Sequence, residues 1–294
     1  MKLTHIFFLS AFVAIALVAG MFANSKVSDK MRKAIYGSNP IAGKFYAVNG
    51  IQLYCETYGS GDPLLMIHGN GGDITAFSNQ IPFFSKHYKV IVVDSRAQGK
   101  SVDPSDSLTY EQMADDFAAL LTALNVDSAN VLGWSDGGIN GLLLAMRHPD
   151  KVKKLAITGA NLEPDTNAVD PAIINEIMPY YQESKKESQA KALKNNMDST
   201  KFKLLRLLME QPHIRPADLQ KISCPVLVIG GDHDLIRPKH TLQIFEHIPK
   251  AYLWIVPNSG HGTLIEHVTE FNEQVHQFYK TPFQDRGKLS IKDV

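Results

Sequence analysis

The residues ANVLGWSDGG occupy positions 129–138 and carry the clearest structural signal in the chain. The first six are mostly apolar, which predicts a buried strand, and apolar residues at helical spacing then continue to Arg147. Gly133 and Gly137 stand two residues either side of Ser135, as is required where a strand and a helix nearly touch at a sharp turn. Such a turn exposes the serine hydroxyl at the positive end of the helix. The pattern predicts Ser135 as a nucleophile; a tight turn with a capping serine is the alternative.

Short apolar runs of the same kind recur on both sides of this segment. They lack the polar alternation of a half-exposed strand, so each is expected to be covered on both faces, as in a parallel sheet. Two earlier strands are expected to form a hairpin at Asn49-Gly50, because Asn-Gly supplies the positive φ angles of a type I′ turn. Helical segments alternate with the strands, which predicts an α/β fold with a doubly wound, mostly parallel sheet. The predicted strands are 44–48, 51–59, 64–68, 89–94, 129–134, 153–158, 225–231 and 251–256, and the predicted helices are 110–124, 138–147, 239–247 and 264–279.

One long segment, residues 160–221, interrupts this alternation. It contains two polar, helix-like runs, 185–196 and 201–211, a break at Pro179 and no strand-like run. We interpret it as a small helical lid inserted after the sixth strand, because it lacks the strands of an independent domain. The whole domain is then expected to span residues 44–280.

Composition excludes several classes of protein. The chain has 294 residues, 44% of them hydrophobic, and its 30 Lys and Arg balance 30 Asp and Glu. A hydrophobic fraction this high argues against disorder, and a zero net charge without a basic run argues against a nucleic-acid partner. The two cysteines, Cys55 and Cys224, lack metal-ligand spacing and are expected to be small buried side chains rather than halves of a disulfide bridge.

The N-terminal residues predict a targeting segment. Residues 6–23 contain no charged side chain and follow Lys2, and their length lies at the border between a secretion signal and a membrane-spanning helix. Residues 1–25 are therefore expected to be a signal peptide or a membrane anchor, so that the protein is exported or membrane-anchored. The side of the membrane stays open. A polar linker at 26–43 and a polar tail at 281–294 are expected to flank the domain.

A serine nucleophile needs a base, and the base needs a carboxylate to orient it. The chain order serine, acid, histidine predicts an acid after the seventh strand and a histidine after the eighth. Asp232 and Asp234 follow the seventh strand, and His261 follows the eighth. Loops at the carboxyl ends of parallel strands open onto one edge of the sheet, so these residues are expected to converge on Ser135. We favour Asp234 as the acid, because it lies further out along the loop. Three other histidines are expected to lie on the surface without a catalytic role: His233, His240 and His267.

An acyl-transfer site also needs N–H donors for the oxyanion that forms. The amide N–H of Asp136, the residue after Ser135, is one candidate. The other is the amide N–H of Asn70, in the glycine-rich loop HGNGG at 68–72 that follows the third strand. Glycines let this backbone curl towards the site, although a plain glycine-rich turn is the alternative.

Five motifs together resemble the α/β-hydrolase superfamily over nearly the whole predicted domain. They are HGNGG (68–72), DSRAQGKS (94–101), GWSDGG (133–138), GGDHDLIRP (230–238) and SGHG (259–262). The resemblance implies a catalytic triad of Ser135, Asp234 and His261. It also implies oxyanion donors from Asn70 and Asp136, and it implies no metal or organic cofactor.

Two residues of these motifs have further implications. The turn around Ser135 is similar to that of valacyclovirase-like (biphenyl-hydrolase-like) serine hydrolases, in which an acidic residue beside the serine receives the ammonium group of the substrate. This similarity implies a substrate-binding role for Asp136; the alternative is that Asp136 only complements the helix dipole. Ala97 departs from the family pattern, which usually has glycine there, in a loop that is mainly structural.

These observations predict a serine hydrolase that cleaves a small carboxylic ester through an acyl-enzyme. Its partner is then a small-molecule ester, with a membrane as a second partner if the N-terminal segment is retained. The same triad also serves thioesterases, lactonases, amidases, C–C bond hydrolases and cofactor-free perhydrolases. Outside enzymes, the alternative is a non-catalytic relative that binds a small ligand.

Overall fold

An eight-stranded sheet runs through the part of the chain that the computed structural model describes, residues 36–190 and 196–285. Its strands are β1 (Gly43–Val48), β2 (Ile51–Tyr58), β3 (Pro63–Ile67), β4 (Lys89–Val93), β5 (Ala129–Trp134), β6 (Val152–Thr158), β7 (Val226–Gly231) and β8 (Ala251–Val256). They lie in the order β1-β2-β4-β3-β5-β6-β7-β8. The pairs β1–β2 and β2–β4 are antiparallel, and β3 to β8 run parallel. The predicted α/β, mostly parallel sheet is confirmed, and each predicted strand end lies within one residue of the observed one.

Hydrophobic cores lie on both faces of the sheet. In β3, Leu65 and Ile67 pack into one core and Leu64 and Met66 into the other, and all four are fully buried. Successive side chains of a strand point to opposite faces, so a strand buried on both faces is apolar throughout. The described α-helices are α1 (Ile81–Phe84), α2 (Tyr110–Ala123), α3 (Asp136–Arg147), α4 (Pro171–Gln189), α5 (Asn196–Glu210), α6 (Pro238–His247), α7 (Thr263–Glu266) and α8 (Val268–Lys280).

The insertion after β6 is helical, as predicted, and we refer to residues 160–221 as the helical insert. Its described part contains α4, α5 and a 3₁₀ turn at Pro216–Lys221. Helix α5 docks onto the body of the domain through Lys203, whose Nζ donates to the carbonyls of Asp103 (2.9 Å) and Ser105 (2.7 Å). A buried ammonium needs such acceptors, so these bonds fix α5 against the loop that follows β4.

Two predictions about helices are wrong. Pro179 does not break the insert, since it lies inside the continuous helix α4. A proline removes one backbone hydrogen bond, but most of α4 is exposed, and the loss is tolerated where water reaches the backbone. The predicted helix 264–279 is two helices, because His267 between α7 and α8 has non-helical angles (φ −122°, ψ 48°).

The expectation that His240 lies on the surface is also wrong. Its side chain is buried, and its Nε2 accepts a hydrogen bond from the Leu162 N–H at 3.0 Å. Burial lowers the pKa of this imidazole. The helical periodicity of α6 gave no sign of this, because Leu162 belongs to the insert, 78 residues earlier. His233 is exposed as predicted, and His267 is half-buried.

Two local predictions are confirmed, the turn of the first hairpin and the buried, free state of the two cysteines. Asn49 and Gly50 have φ angles of 42° and 81°, as the type I′ turn requires. Cys55 and Cys224 are both buried and free.

The predicted targeting segment, residues 1–25, lies outside the described residues and stays a prediction. The same holds for residues 26–35 of the linker and for 286–294 of the tail. Within the described part of the chain, no helix combines the length and the apolar character needed to cross a membrane.

Candidate active site

The turn between β5 and α3 presents Ser135 at the carboxyl edge of the sheet. Ser135 has φ 57° and ψ −119°, a strained conformation that costs on the order of 1–3 kcal/mol and persists where the surroundings enforce it. Its N–H donates to the Thr158 carbonyl at 2.8 Å. A Cβ on Gly133 would lie 2.1 Å from the Gly137 oxygen, and one on Gly137 would lie 1.9 Å from the Ile67 oxygen. Neither position has space for a side chain, which explains both glycines of the motif.

His261 bridges Ser135 and Asp234. Its Nε2 lies 2.9 Å from Ser135 Oγ, and its Nδ1 lies 2.7 Å from Asp234 Oδ1. The Ile236 N–H donates to the same carboxylate oxygen at 2.9 Å, and the Asp234 side chain is fully buried. When Nδ1–H donates to the carboxylate, Nε2 is left to accept the hydroxyl proton. The structure therefore brings together the three predicted residues, from the ends of β5, β7 and β8.

Asp232, the other candidate acid, lies away from the imidazole of His261. Its Oδ1 accepts from the Ser259 N–H at 3.1 Å and lies 2.7 Å from Nδ1 of His233. Together with the Asn258 N–H, these contacts lower the pKa of the Asp232 carboxyl to about 2. Asp232 thus joins the loops after β7 and β8.

Two residues that support His261 were missed by the sequence analysis. Gly159, at the end of β6, has φ +66°, and a Cβ there would lie 2.7 Å from Cε1 of His261. Trp134 donates its indole N–H to the His261 carbonyl at 2.9 Å. A glycine directly after a parallel strand is a signal that could have been noticed. The partner of Trp134 is 127 residues away and has no signal in the sequence.

The oxyanion loop, residues 68–72, is held by buried side chains. His68 is buried, with Nδ1 2.8 Å from the Gly69 carbonyl and Nε2 accepting from the Ser95 N–H at 3.0 Å. Burial lowers the pKa of His68, so it is neutral with the proton on Nδ1. The Gly71 N–H donates to Gln98 Oε1 at 2.7 Å. The loop after β4 thus fixes the backbone of the oxyanion loop.

The oxyanion loop runs directly against the nucleophile. A Cβ on Gly69 would lie 3.0 Å from Ser135 Cβ and 3.6 Å from Ser135 Oγ. Asp136 begins α3, where the first N–H groups have no partner within the helix. Among the described residues, neither this N–H nor that of Asn70 donates to a backbone or side-chain acceptor. The amides that follow Gly69 and Ser135 therefore have no acceptor within the described part of the chain, as an oxyanion site requires.

The Asp136 side chain is buried rather than open to a ligand. It is 2% exposed, and its Oδ2 accepts from Asn70 Nδ2 at 2.9 Å. The Tyr110 hydroxyl lies beside it without a hydrogen bond of normal geometry. Burial raises the pKa of this carboxyl to about 6, and the contacts with Asn70, Tyr110 and His261 act in the opposite direction. A substrate ammonium would therefore meet a carboxylate whose Oδ2 already accepts from the Asn70 amide.

The loop DSRAQGKS is structural in the sense expected. Asp94 accepts from the Ile74 N–H at 2.9 Å, and Arg96 binds Asp116 through two contacts of 2.6 and 2.8 Å. Ala97 is buried with φ 63°, a conformation that glycine adopts with less strain. The departure from the family pattern therefore leaves the loop intact but strained.

Comparison with known proteins agrees with this geometry. A family model described as alpha/beta hydrolase fold matches residues 62–213, just over half of the chain. The chain belongs to the α/β-hydrolase fold family. The matched residues of this α/β hydrolase include the oxyanion loop and Ser135, and they end before Asp234 and His261.

Individual relatives match this α/β hydrolase over most of its length. Serine hydrolase BPHL of Homo sapiens is 28% identical over 258 residues, which covers 83% of this chain and 88% of the relative. The 2-hydroxymuconate semialdehyde hydrolase of Pseudomonas sp. strain CF600 is 29% identical over 273 residues, covering 82% and 95%. A solved esterase of Exiguobacterium antarcticum has a TM-score of 0.70 at 23% identity, covering 81% and 100%, and this likeness shows the fold alone. The family and the relatives support a hydrolase without defining the bond that it cleaves.

Proposed function

We propose that this protein is a serine hydrolase that cleaves a small carboxylic ester through an acyl-enzyme. The observation that carries the proposal is the pair of contacts made by His261. Its two ring nitrogens lie 2.9 Å from Ser135 Oγ and 2.7 Å from Asp234 Oδ1. A serine beside a histidine that a buried carboxylate orients is an arrangement that activates a hydroxyl for attack.

Each residue has a defined role in this mechanism. Ser135 Oγ attacks the carbonyl carbon of the substrate while His261 Nε2 takes its proton, and Asp234 stabilises the imidazolium that results. The N–H groups of Asn70 and Asp136 receive the negative charge on the carbonyl oxygen. His261 then protonates the leaving alcohol, and a water molecule deprotonated by the same imidazole releases the acid from Ser135. None of these steps requires a metal or an organic cofactor.

Hydrolysis of a C–C bond is the second candidate. It is favoured by the 29% identity to the 2-hydroxymuconate semialdehyde hydrolase. Both reactions begin at a carbonyl carbon, and an oxyanion site serves either, so the triad does not distinguish them.

The first test is labelling of the full chain with a fluorophosphonate, followed by intact mass measurement. We expect one covalent adduct on the wild type and none on Ser135→Ala. The carboxylates of Asp234 and Asp232 provide a matched pair of variants that tests which of them orients His261. Asp234→Asn is expected to lower kcat by up to about 10⁴-fold, whereas Asp232→Asn keeps most of the activity. Absence of an adduct on folded wild-type protein would refute the mechanism and favour the ligand-binding alternative.

A substrate panel then identifies the bond and tests the side chain of Asp136. The panel contains simple esters, thioesters, lactones, amides and 2-hydroxymuconate semialdehyde, and the highest kcat/KM on a simple ester supports the proposal. Esters with and without an α-amino group are compared in wild type and in Asp136→Ala. A preference for the amino esters that disappears in the variant would assign ammonium binding to Asp136. Equal losses on both kinds of ester would exclude that role.

A further inference from the structure

The side chain of Asn70 is hydrogen-bonded in two directions. Its Nδ2 donates to Asp136 Oδ2 at 2.9 Å and to the Leu204 carbonyl at 3.2 Å. A primary amide has two N–H donors, so both are in use. The acceptors lie 66 and 134 residues further along the chain, one at the start of α3 and the other in helix α5 of the insert. The residue whose backbone is a proposed oxyanion donor is thus tied to two separate elements.

The Asp136 carboxylate, at the start of α3, is an unusual acceptor for the Asn70 amide, because it is buried without an ion pair. The Asp136 carboxylate is 2% exposed, and no Lys, Arg or His side chain of the described residues forms an ion pair with it. The groups that face it are the Asn70 amide from the oxyanion loop, the Tyr110 hydroxyl from α2 and, at longer range, His261 from the loop after β8. Burying a carboxylate without a cation is unfavourable. A favourable interaction with the helix dipole does not require burial, so the dipole alone does not account for this position.

The contact matters because the Asn70 backbone has little room beside the nucleophile. Its neighbour Gly69 lies so close that a Cβ there would be 3.0 Å from Ser135 Cβ. The backbone on the other side is held through Gly71, which donates to Gln98. Between these two points, the described hydrogen bonds of Asn70 itself are those of its side chain, so the orientation of its N–H depends on them.

We propose that the Asp136 carboxylate is a positioning residue, which orients the Asn70 N–H towards the oxyanion by binding the Asn70 side chain. This inference rests on the proposed serine hydrolase function. It assigns the carboxylate a role that is independent of the Asp136 N–H, and it does not require the carboxylate to touch the substrate.

Two variants test the inference. The first is Asn70→Asp, and the second combines it with Asp136→Asn, so that the two side chains are exchanged. In full-length Asn70→Asp, two carboxylates face each other at pH 8 and the donor to Leu204 is lost. We expect kcat to fall about tenfold with little change in KM, because the oxyanion donor is misaligned rather than removed, and removal costs about 10²–10³-fold. At pH 5 the carboxyl groups at positions 70 and 136 share a proton, which restores one hydrogen bond between them. The activity relative to wild type is therefore expected to rise as the pH falls.

The double variant Asn70→Asp/Asp136→Asn reverses the direction of the same hydrogen bond. At pH 8 we expect it to recover most of the kcat lost in Asn70→Asp, and to lose the pH dependence of the ratio to wild type. The single variant Asp136→Asn is measured alongside. If the loss of kcat in the double variant equals the sum, in free energy, of the losses in the two single variants, as for independent sites, the inference is overturned. A wild-type kcat in Asn70→Asp would overturn it as well.

Two controls separate this inference from the function on which it rests. Fluorophosphonate labelling of wild-type Ser135 tests the function itself, and its failure would refute both, whereas labelling together with additive variants would refute only the role of the Asp136 carboxylate. If Asn70→Asp does not fold, Asn70→Ser removes both side-chain hydrogen bonds without adding charge. We expect it to have a lowered kcat and an unchanged KM, and a wild-type kcat would again overturn the inference.

Discussion

Replacement of Asp136 with asparagine is expected to stabilise the protein at neutral pH and to leave its stability nearly unchanged near pH 4. Burial raises the pKa of this carboxyl from 3.8 to about 6. The folded chain therefore keeps the proton at pH values where the unfolded chain has lost it. Stability falls with rising pH wherever the folded state binds more protons, so this group destabilises the fold progressively between pH 4 and 6.

The magnitude follows from the two pKa values. The gap between 3.8 and 6, at 1.36 kcal/mol for each pH unit, corresponds to roughly 3 kcal/mol. This penalty is about 0.5 kcal/mol at pH 4, just above the unfolded pKa, and approaches its full value by pH 7. Asparagine has no proton to lose in this range. The free energy of unfolding of Asp136→Asn, minus that of the wild type, is therefore expected to rise by about 2.5 kcal/mol between pH 4 and 7.

Urea unfolding followed by tryptophan fluorescence measures this difference at pH 4, 5, 6 and 7. Asp232→Asn is the control, because contacts with the Asn258 and Ser259 amides and with His233 lower the pKa of Asp232 to about 2, below the range of the assay. Its difference from the wild type is expected to stay constant from pH 4 to 7. A constant or falling difference for Asp136→Asn would refute the reasoning.

Three further substitutions test features near the site. Gly159→Ala places a Cβ 2.7 Å from the imidazole of His261, so kcat is expected to fall at least about tenfold. Gly50 also has a positive φ but has open space around it. Gly50→Ala is therefore expected to lower thermal stability without affecting kcat. Trp134→Phe removes the hydrogen bond to the His261 carbonyl, and we expect a lower kcat at unchanged KM. Trp254, in β8, lies beside Phe271 instead, and Trp254→Phe is expected to leave kcat unchanged. Ala97→Gly relieves a positive φ, and we expect a gain of about 0.5–1 kcal/mol in urea unfolding, since the relief of about 1–2 kcal/mol exceeds the added chain entropy. Unchanged kcat in both Gly159→Ala and Trp134→Phe, or a destabilised Ala97→Gly, would contradict these expectations.

The sheet was predictable because its signal is local. Residues such as Leu64 to Ile67 are apolar on both faces of the strand, and no distant information is needed to recognise them. The glycines around Ser135 were recognised from their spacing, two residues either side of the serine, although the atom that excludes a side chain at Gly137 belongs to Ile67 in β3. The convergence of Asp234 and His261 on the serine followed from the chain order of serine, acid and histidine and from the shared carboxyl edge of parallel strands.

One error and two omissions concern partners that are distant in the chain. His240 was expected at the surface because its periodicity within α6 says nothing of the Leu162 N–H that it binds. The indole of Trp134 finds its partner 127 residues away, and the side chain of Asn70 finds its two partners 66 and 134 residues away. Such contacts depend on how loops pack once the sheet has formed, and hydrophobic periodicity does not encode them.

In the proposed mechanism, the distribution of the triad along the chain also determines when the protein becomes reactive. Ser135 precedes His261 by 126 residues, and β7 and β8 are the last strands to leave the ribosome. A nascent chain that ends at the helical insert contains the serine without its base, and a serine hydroxyl without a base is a weak nucleophile. Chemical reactivity arises only when the final two strands have joined the sheet. On this mechanism, covalent labelling of Ser135 reports completed synthesis and folding, and a chain that lacks its C-terminal quarter is expected not to be labelled.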